Sequence, residues 1–524
     1  MLNSIKISVF IFLAAFNLFA QQFSVNKIEP RNWWSGMKTN DLQLMIYGSN
    51  LNQTKVTSSS ELLSVVKVHY PENANYLFID VKLNKNIKPG SYKLNFQKGN
   101  EKFSLDFPVL TRPSSDNKYK GFNQNDVVYL IFPDRFVNGD TSNDFLENSK
   151  EEFEFASLNG RHGGDIAGIT SKMDYLEKLG VTALWLCPML ENNMWMSYHG
   201  YAATDLYRID PRFGTTELYK ELVDKAHEKG IKIILDHVSN HIGNNHPWYN
   251  NLPMKDWFNG IPGNHTRTNY DVISFFDVNA DSVSVDYVQR GWFEDYMPDV
   301  NQSNPFVKKY MIQNTIWWIE TLGIDGIRED TYGYSDQSYL AEWAETIINE
   351  YPNFNIVGEI LKGEPSFLAR FQRNNIYNKN FNSNLPCVTD FGVRDAVTNF
   401  VSGEKPIVDI YETFVQDYLY ADRDNLMVFV DNHDIPRLMY SAKNNINKYK
   451  IGMLLTLFTR GIPKLLYGTE IGITGTDHHG EIRAPFPGGF EKDSINAFCC
   501  KGRNAYQDSV FTLTKNILNL RKNN

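Results

Sequence analysis

The chain has 524 residues, 42% of them hydrophobic and 22% charged, with a formal net charge of −9. That composition excludes a disordered chain and leaves room for a large core spread over roughly two to four domains. No run of Lys and Arg marks a basic face, which argues against nucleic acid as a partner.

In chain order, the first feature is "MLNSIKISVFIFLAAFNLFAQQ". Lys6 precedes an apolar run from Ile7 to Ala20 that is too short for a good membrane span and ends on a small residue. Residues 1–20 therefore read as an export signal, and no Cys follows them to carry a lipid. Residues 21–112 alternate with period two in "LQLMIYGSNL", "VVKVHY", "YLFIDVKL" and "SYKLNFQKG", separated by Asn, Gly and Pro. This pattern predicts an antiparallel β-sandwich. Residues 113–125 are polar and read as a linker.

From residue 126 to 524 short apolar runs alternate with amphipathic ones. The strand candidates are "VVYLIF", "VTALWLCP", "IKIILD", "IDGIRED", "NIVGE", "LPCVTDFG", "LMVFVDNHD" and "IPKLLYG". Strand–helix alternation predicts a parallel sheet, and eight strands favour a closed (β/α)8 barrel with a long insertion, 237–300, after the third strand. The four cysteines, Cys187, Cys387, Cys499 and Cys500, lack the spacing of a disulfide framework or a zinc site.

Barrel chemistry sits where the strands end. The third strand ends at Asp236, the fourth at Asp330, the fifth at Glu359, and the seventh at Asp431, His433 and Asp434. Alternation puts Arg328 on the same face as Asp330 and Glu329 on the other. A single Asp at one strand end reads as a loop cap or an ion pair. Four acidic strand ends together suit glycosidic cleavage, in which one carboxylate attacks and a protonated carboxyl donates to the leaving oxygen. Separately, Asn138, Asp140, Asn143 and Asp144 in "VNGDTSND", with Gly163 and Asp165 in "RHGGD", gather oxygen donors. Taken alone, such a stretch is an Asn/Asp-rich turn.

These motifs occur in the order of the α-amylase family of glycoside hydrolases, which the chain resembles from about residue 120 onward. "DHVSNH", "GIDGIREDT", "VGE" and "FVDNHD" resemble its four conserved regions, and "MPDVN" at Met297 resembles the mark of its neopullulanase and cyclomaltodextrinase subgroup. The resemblance implies that Asp330 is the nucleophile, Glu359 the acid/base and Asp434 the transition-state stabiliser. It further implies that Arg328 orients the nucleophile, that His199, Tyr201, His241 and His433 contact the sugar being cleaved, that Asp236 organises the site, and that Arg483 orders the same region. It implies a structural calcium ion at Asn138, Asp140, Asn143, Asp144, Gly163 and Asp165. The N-terminal sandwich resembles that of the subgroup, where it takes part in homodimers and narrows the cleft. The family continues with a C-terminal β-sandwich, for which no residues follow "LNLRKNN". The substrates expected are α-1,4-glucans: malto-oligosaccharides, cyclodextrins, pullulan or starch. The alternatives are a transglycosylase with the same site and a glucan-binding barrel without catalysis, against which the presence of all three acids argues. The export signal, with this substrate class, implies a periplasmic or secreted location.

Overall fold

The computed structural model describes residues 23–114, 118–151, 153–277, 279–379 and 381–523. The expected export signal, 1–20, lies outside the described residues, as does part of the expected linker.

Eight strands form the N-terminal unit: β1 (Ser24–Glu29), β2 (Trp33–Trp34), β3 (Asp41–Ser49), β4 (Lys55–Ser58), β5 (Leu63–His69), β6 (Tyr76–Leu83), β7 (Gly90–Lys98) and β8 (Glu101–Leu110). They make two four-stranded sheets, ordered β1-β3-β6-β5 and β2-β8-β7-β4. β3 is buried on both faces. By alternation Leu42, Leu44 and Ile46 share one face, and Gln43 and Met45 share the other. The second face lies against the barrel. Gln43 N donates to Gln313 Oε1 at 2.7 Å, and Gln313 Nε2 returns a bond to Gln43 O at 2.7 Å.

The partner of this face is the helix Pro305–Leu322, capped at its start by the Asn304 side chain and stopped by Gly323 in the left-handed region at φ 74°. It is apolar nearly all round because it is covered on both sides, by the barrel and by the sandwich. Tyr310 Oη donates to Glu29 Oε2 at 2.8 Å and Trp317 Nε1 to Asn32 Oδ1 at 3.0 Å. Arg112 reaches Glu320 at 2.8 Å and Glu350 at 2.9 Å from the sandwich side.

The barrel is closed and parallel. Its strands are β9 (Val128–Ile131), β10 (Ala183–Leu186), β13 (Lys232–His237), β14 (Gly326–Glu329), β15 (Asn355–Gly358), β16 (Cys387–Asp390), β17 (Leu426–Val428) and β18 (Ile462–Leu466), with β18 pairing back to β9. A short antiparallel pair, β11 (Leu190–Glu191) and β12 (Asp205–Ile209), stands outside it. The fold agrees with the sequence reading, strand for strand. Four ends differ in detail. β17 stops at Val428, short of the acidic residues read at its end, β13 runs one residue past Asp236 to His237, and Asp330 and Glu359 each lie one residue past the ends of β14 and β15. The four cysteines are free, Cys187 and Cys387 being buried. No helix among the described residues is long and apolar enough to cross a membrane.

Candidate active site

Alternation along β14 sends Arg328 into the barrel, where it is fully buried, and Glu329 outward. Glu329 is taken up by His237 Nδ1 at 2.5 Å and Ser239 Oγ at 2.5 Å behind the strand. Arg328 gathers three acids. Its Nη1 donates to Asp330 Oδ1 at 2.6 Å and to Asp236 Oδ1 at 2.8 Å. Its Nη2 forms an ion pair with Glu359 Oε1 at 2.5 Å. The guanidinium also lies over Trp185 and Tyr201, with centroid distances of 5.1 and 5.7 Å. Asp325, at the other end of "GIDGIREDT", belongs to the barrel floor, where it accepts from Ile233 N and pairs with His227 at 2.7 Å.

Asp236 holds the far side of the cluster. Its Oδ2 accepts from Trp185 Nε1 and from Tyr201 Oη, both at 2.8 Å. With the Tyr201 proton committed there, His433 Nε2, 2.7 Å from Tyr201 Oη and 3.0 Å from Asp434 Oδ2, is placed to donate to both. Arg483 completes the chain, donating from Nη2 to Asp434 Oδ1 at 2.7 Å and from Nε to the His433 carbonyl at 2.9 Å. His241 bonds the Tyr201 carbonyl at 3.0 Å, and His199 Nδ1 accepts from Tyr201 N at 3.0 Å. Thus the structure brings Asp330, Glu359 and Asp434 together with His199, Tyr201, Asp236, His241, Arg328, His433 and Arg483.

The electrostatics follow from this packing. Burial pushes the Asp330 carboxyl up, and the nearby Asp236 adds to the rise while Arg328 opposes it. Glu359 is raised by burial too, with Arg328 pulling down and Asp330 and Asp434 pushing up. Burial would raise Asp434, but His433 and Arg483 outweigh it and hold this acid well below the usual carboxylate range. Burial lowers His199 to about 3 and His241 to about 4, so both rings are neutral near neutral pH.

Asp330, Glu359, Asp434, Tyr201, His199, His241 and Arg483 line one cavity of about 340 Å3. Its remaining wall includes Met196, Phe293, Glu294, Tyr296, Met297, Leu361 and His479. The insertion supplies Phe293, which faces His241 with ring centroids 5.7 Å apart. Trp185 was missed as a support of Asp236. Its inward position in β10 was readable from alternation with Leu184 and Leu186.

The oxygen-rich loop is assembled beside Gly163. A Cβ built there would lie 2.1 Å from Asp144 Oδ1 and 2.7 Å from Asn138 Nδ2. The oxygens Asn138 Oδ1 and Asn143 Oδ1 are buried with no hydrogen-bond partner, a donor set that fits a hard cation. Two residues differ from the expected ligand set. Asp165 spends both oxygens on the backbone N–H groups of Gly139, Asp140 and Gly168, capping the helix Ile166–Ser171. Asp140 Oδ1 caps the turn at Ser142. Among the described residues no group of three or more His, Cys, Asp or Glu could hold a metal ion, and the loop's free oxygens are amides.

A closed parallel barrel with three acids on one arginine at its mouth defines the class: a (β/α)8-barrel protein with a sugar-sized carboxylate cleft. The family description "Alpha amylase, catalytic domain" matches residues 130–501, and "Cyclomaltodextrinase, N-terminal" matches residues 27–113. The chain belongs to the α-amylase family of glycoside hydrolases. A cyclomaltodextrinase of Thermoanaerobacter pseudethanolicus is 30% identical over 412 residues, covering 76% of this chain and 64% of that protein. Neopullulanase 2 of Thermoactinomyces vulgaris is 32% identical over 365 residues, covering 67% and 57%. The chain thus spans less than two thirds of the length of these relatives. The structure of an α-amylase from Geobacillus thermoleovorans, complexed with acarbose, is 29% identical with a TM-score of 0.62, over 76% of this chain and 79% of that one.

Proposed function

We propose that the protein is a retaining hydrolase of α-1,4-glucosidic bonds in malto-oligosaccharides, cyclodextrins, pullulan or starch. The observation that carries this reading is the single guanidinium of Arg328, which holds Asp330 Oδ1 at 2.6 Å and Glu359 Oε1 at 2.5 Å. Two carboxyls on one fork are compatible with the separation of about 5–5.5 Å that double displacement requires.

Asp330 attacks the anomeric carbon as a carboxylate, and the bond to the leaving oxygen breaks. That oxygen takes the proton of Glu359, whose proton affinity burial raises. Glu359, now ionised, accepts a proton from water, and the hydroxide formed releases the glycosyl ester from Asp330. Asp434, held ionised by His433 and Arg483, accepts hydrogen bonds from ring hydroxyls as positive charge develops on the sugar. The neutral His199 and His241 offer polar contacts to hydroxyls without adding a repelling charge.

On the same reading the loop around Gly163 holds a structural calcium ion through Asn138, Asn143, Asp144 and the chain at Gly163, with Asp140 and Asp165 shaping the backbone. The ion would supply a tether between two loops and no chemistry at the carboxylates. Export rests on residues 1–20 alone, and a relative from Bacillus subtilis, 30% identical, is named an intracellular maltogenic amylase. Fractionation of cells into periplasm, cytoplasm and medium tests the location. A homodimer through the sandwich is supported by the N-terminal family match, and light scattering of the purified chain tests it.

The deciding experiment follows hydrolysis of γ-cyclodextrin, pullulan and soluble starch by proton NMR, with Asp330→Asn beside the wild type. The reading requires α-configured product from the wild type and none from the variant. Initial release of β-configured sugar, or no release from any glucan by the folded wild type, would refute it.

A further inference from the structure

Of the ten tryptophans, nine are at most 4% exposed, whereas Trp195 is 70% exposed. Burying a side chain of this size is strongly favourable, so one standing in water in an otherwise well-packed chain calls for an explanation.

Its surroundings are fixed. Asn192 N donates to Asp210 Oδ2 at 3.1 Å, and Asn193 is held by Thr204 Oγ1, Lys150 N and the Asn245 side chain. On the other side, the buried Ser197 donates to Glu151 at 2.8 Å. Met194 packs with Tyr201 and Met297. Trp195 therefore rides on a loop pinned before and after it. Between it and Ser197, Met196 takes the left-handed conformation at φ 54°, which a methionine rarely adopts. This reversal puts Met196 in the wall of the catalytic cavity, beside Tyr198 and His199, and leaves Trp195 outside it. Backbone strain of this kind persists where the surroundings over-determine it.

We propose that Trp195 is a stacking platform for a glucosyl unit beyond the one being cleaved, and so a determinant of substrate length. The proposal rests on the glucan-hydrolase reading for its ligand class. A glucose ring presents an apolar face of C–H groups, and an indole carried on a pinned loop, one residue past the cavity wall, meets it with little loss of backbone freedom. Short substrates that end inside the cavity do not reach it. Long or cyclic glucans do.

The test compares wild type, Trp195→Ala and Trp195→Phe on nitrophenyl α-maltoside and on maltohexaose. The alanine variant should lose about tenfold in kcat/KM on maltohexaose through KM, keep its rate on the short glycoside, and recover most of the loss as phenylalanine. A change below twofold on maltohexaose, or an equal loss on both substrates, overturns the proposal. A second measurement is independent of turnover. As the lone exposed indole, Trp195 should react with N-bromosuccinimide first, and maltohexaose should protect it in Asp330→Asn. Protection without turnover in the wild type would sink the hydrolase reading and keep the platform. Turnover without protection, or protection that follows protein concentration and not glucan, would sink the platform alone.

Discussion

At the scale of single residues, the site is a problem in placing charge. Arg328 balances Asp236, Asp330 and Glu359 at once, so any change to one acid is felt by the others. Asp330 must be ionised to attack, and burial with Asp236 nearby raises its proton affinity. The acid limb of kcat/KM should therefore lie above the ordinary carboxylate range. Asp236→Asn removes one cause of that rise and should move the limb to lower pH, and a limb that stays put would show that Asp236 does not act through charge. Glu359→Gln should cut kcat on maltohexaose by about 10²–10⁴. The loss should be much smaller on α-maltosyl fluoride, whose leaving group needs no proton. Lys464 sits inside the barrel, 1% exposed, with Nζ donating to the Asp431 carbonyl. Burial pushes it down to about 7 from an ordinary 10.5. Between those values the unfolded chain binds a proton that the folded one has released, so stability climbs as pH rises through the window. Lys464→Met should flatten that climb in denaturant titrations at pH 7 and pH 9.

At the scale of elements, what was legible in the sequence was periodic. Alternation placed Arg328 inward and Glu329 outward, and the strand-end rule found Asp330, Glu359 and Asp434. What was not legible depends on contacts between distant segments. A tryptophan in "VTALWL" reads as core, and nothing local says that its Nε1 meets Asp236 on the next strand. Phe293 and Tyr296 come from an irregular stretch of the insertion, just past its helix Ser282–Gln289, whose path no periodicity predicts. Asp165 is a metal ligand only by the family resemblance, and the long-range backbone bonds that both its oxygens accept are not written in its neighbours. The loop it supports makes two predictions. Chelator should lower the melting temperature and calcium should restore it, with Asn138→Ala abolishing the response. Gly163→Ala should destabilise by at least about 2 kcal/mol, because it combines φ 88° with a Cβ in contact with Asp144.

At the scale of the whole molecule, the sandwich and barrel share one helix. Gln313→Ala would leave the Gln43 N–H and C=O buried without partners, at a cost of about 1–3 kcal/mol for each. Calorimetry should then show a lower melting temperature, and a transition that separates into two if this contact couples the units. The shared helix has a consequence in time. The last strand of the sandwich ends at Leu110, and the helix that covers its outer face begins only at Pro305. At a synthesis rate of roughly 5–20 residues per second, the finished sandwich waits on the ribosome for roughly 10–40 s with that face unpartnered. During that interval Met45 and the bonds of Gln43 are open to water or to another nascent chain. The same face that locks the finished protein together is therefore a surface left open while it is being made.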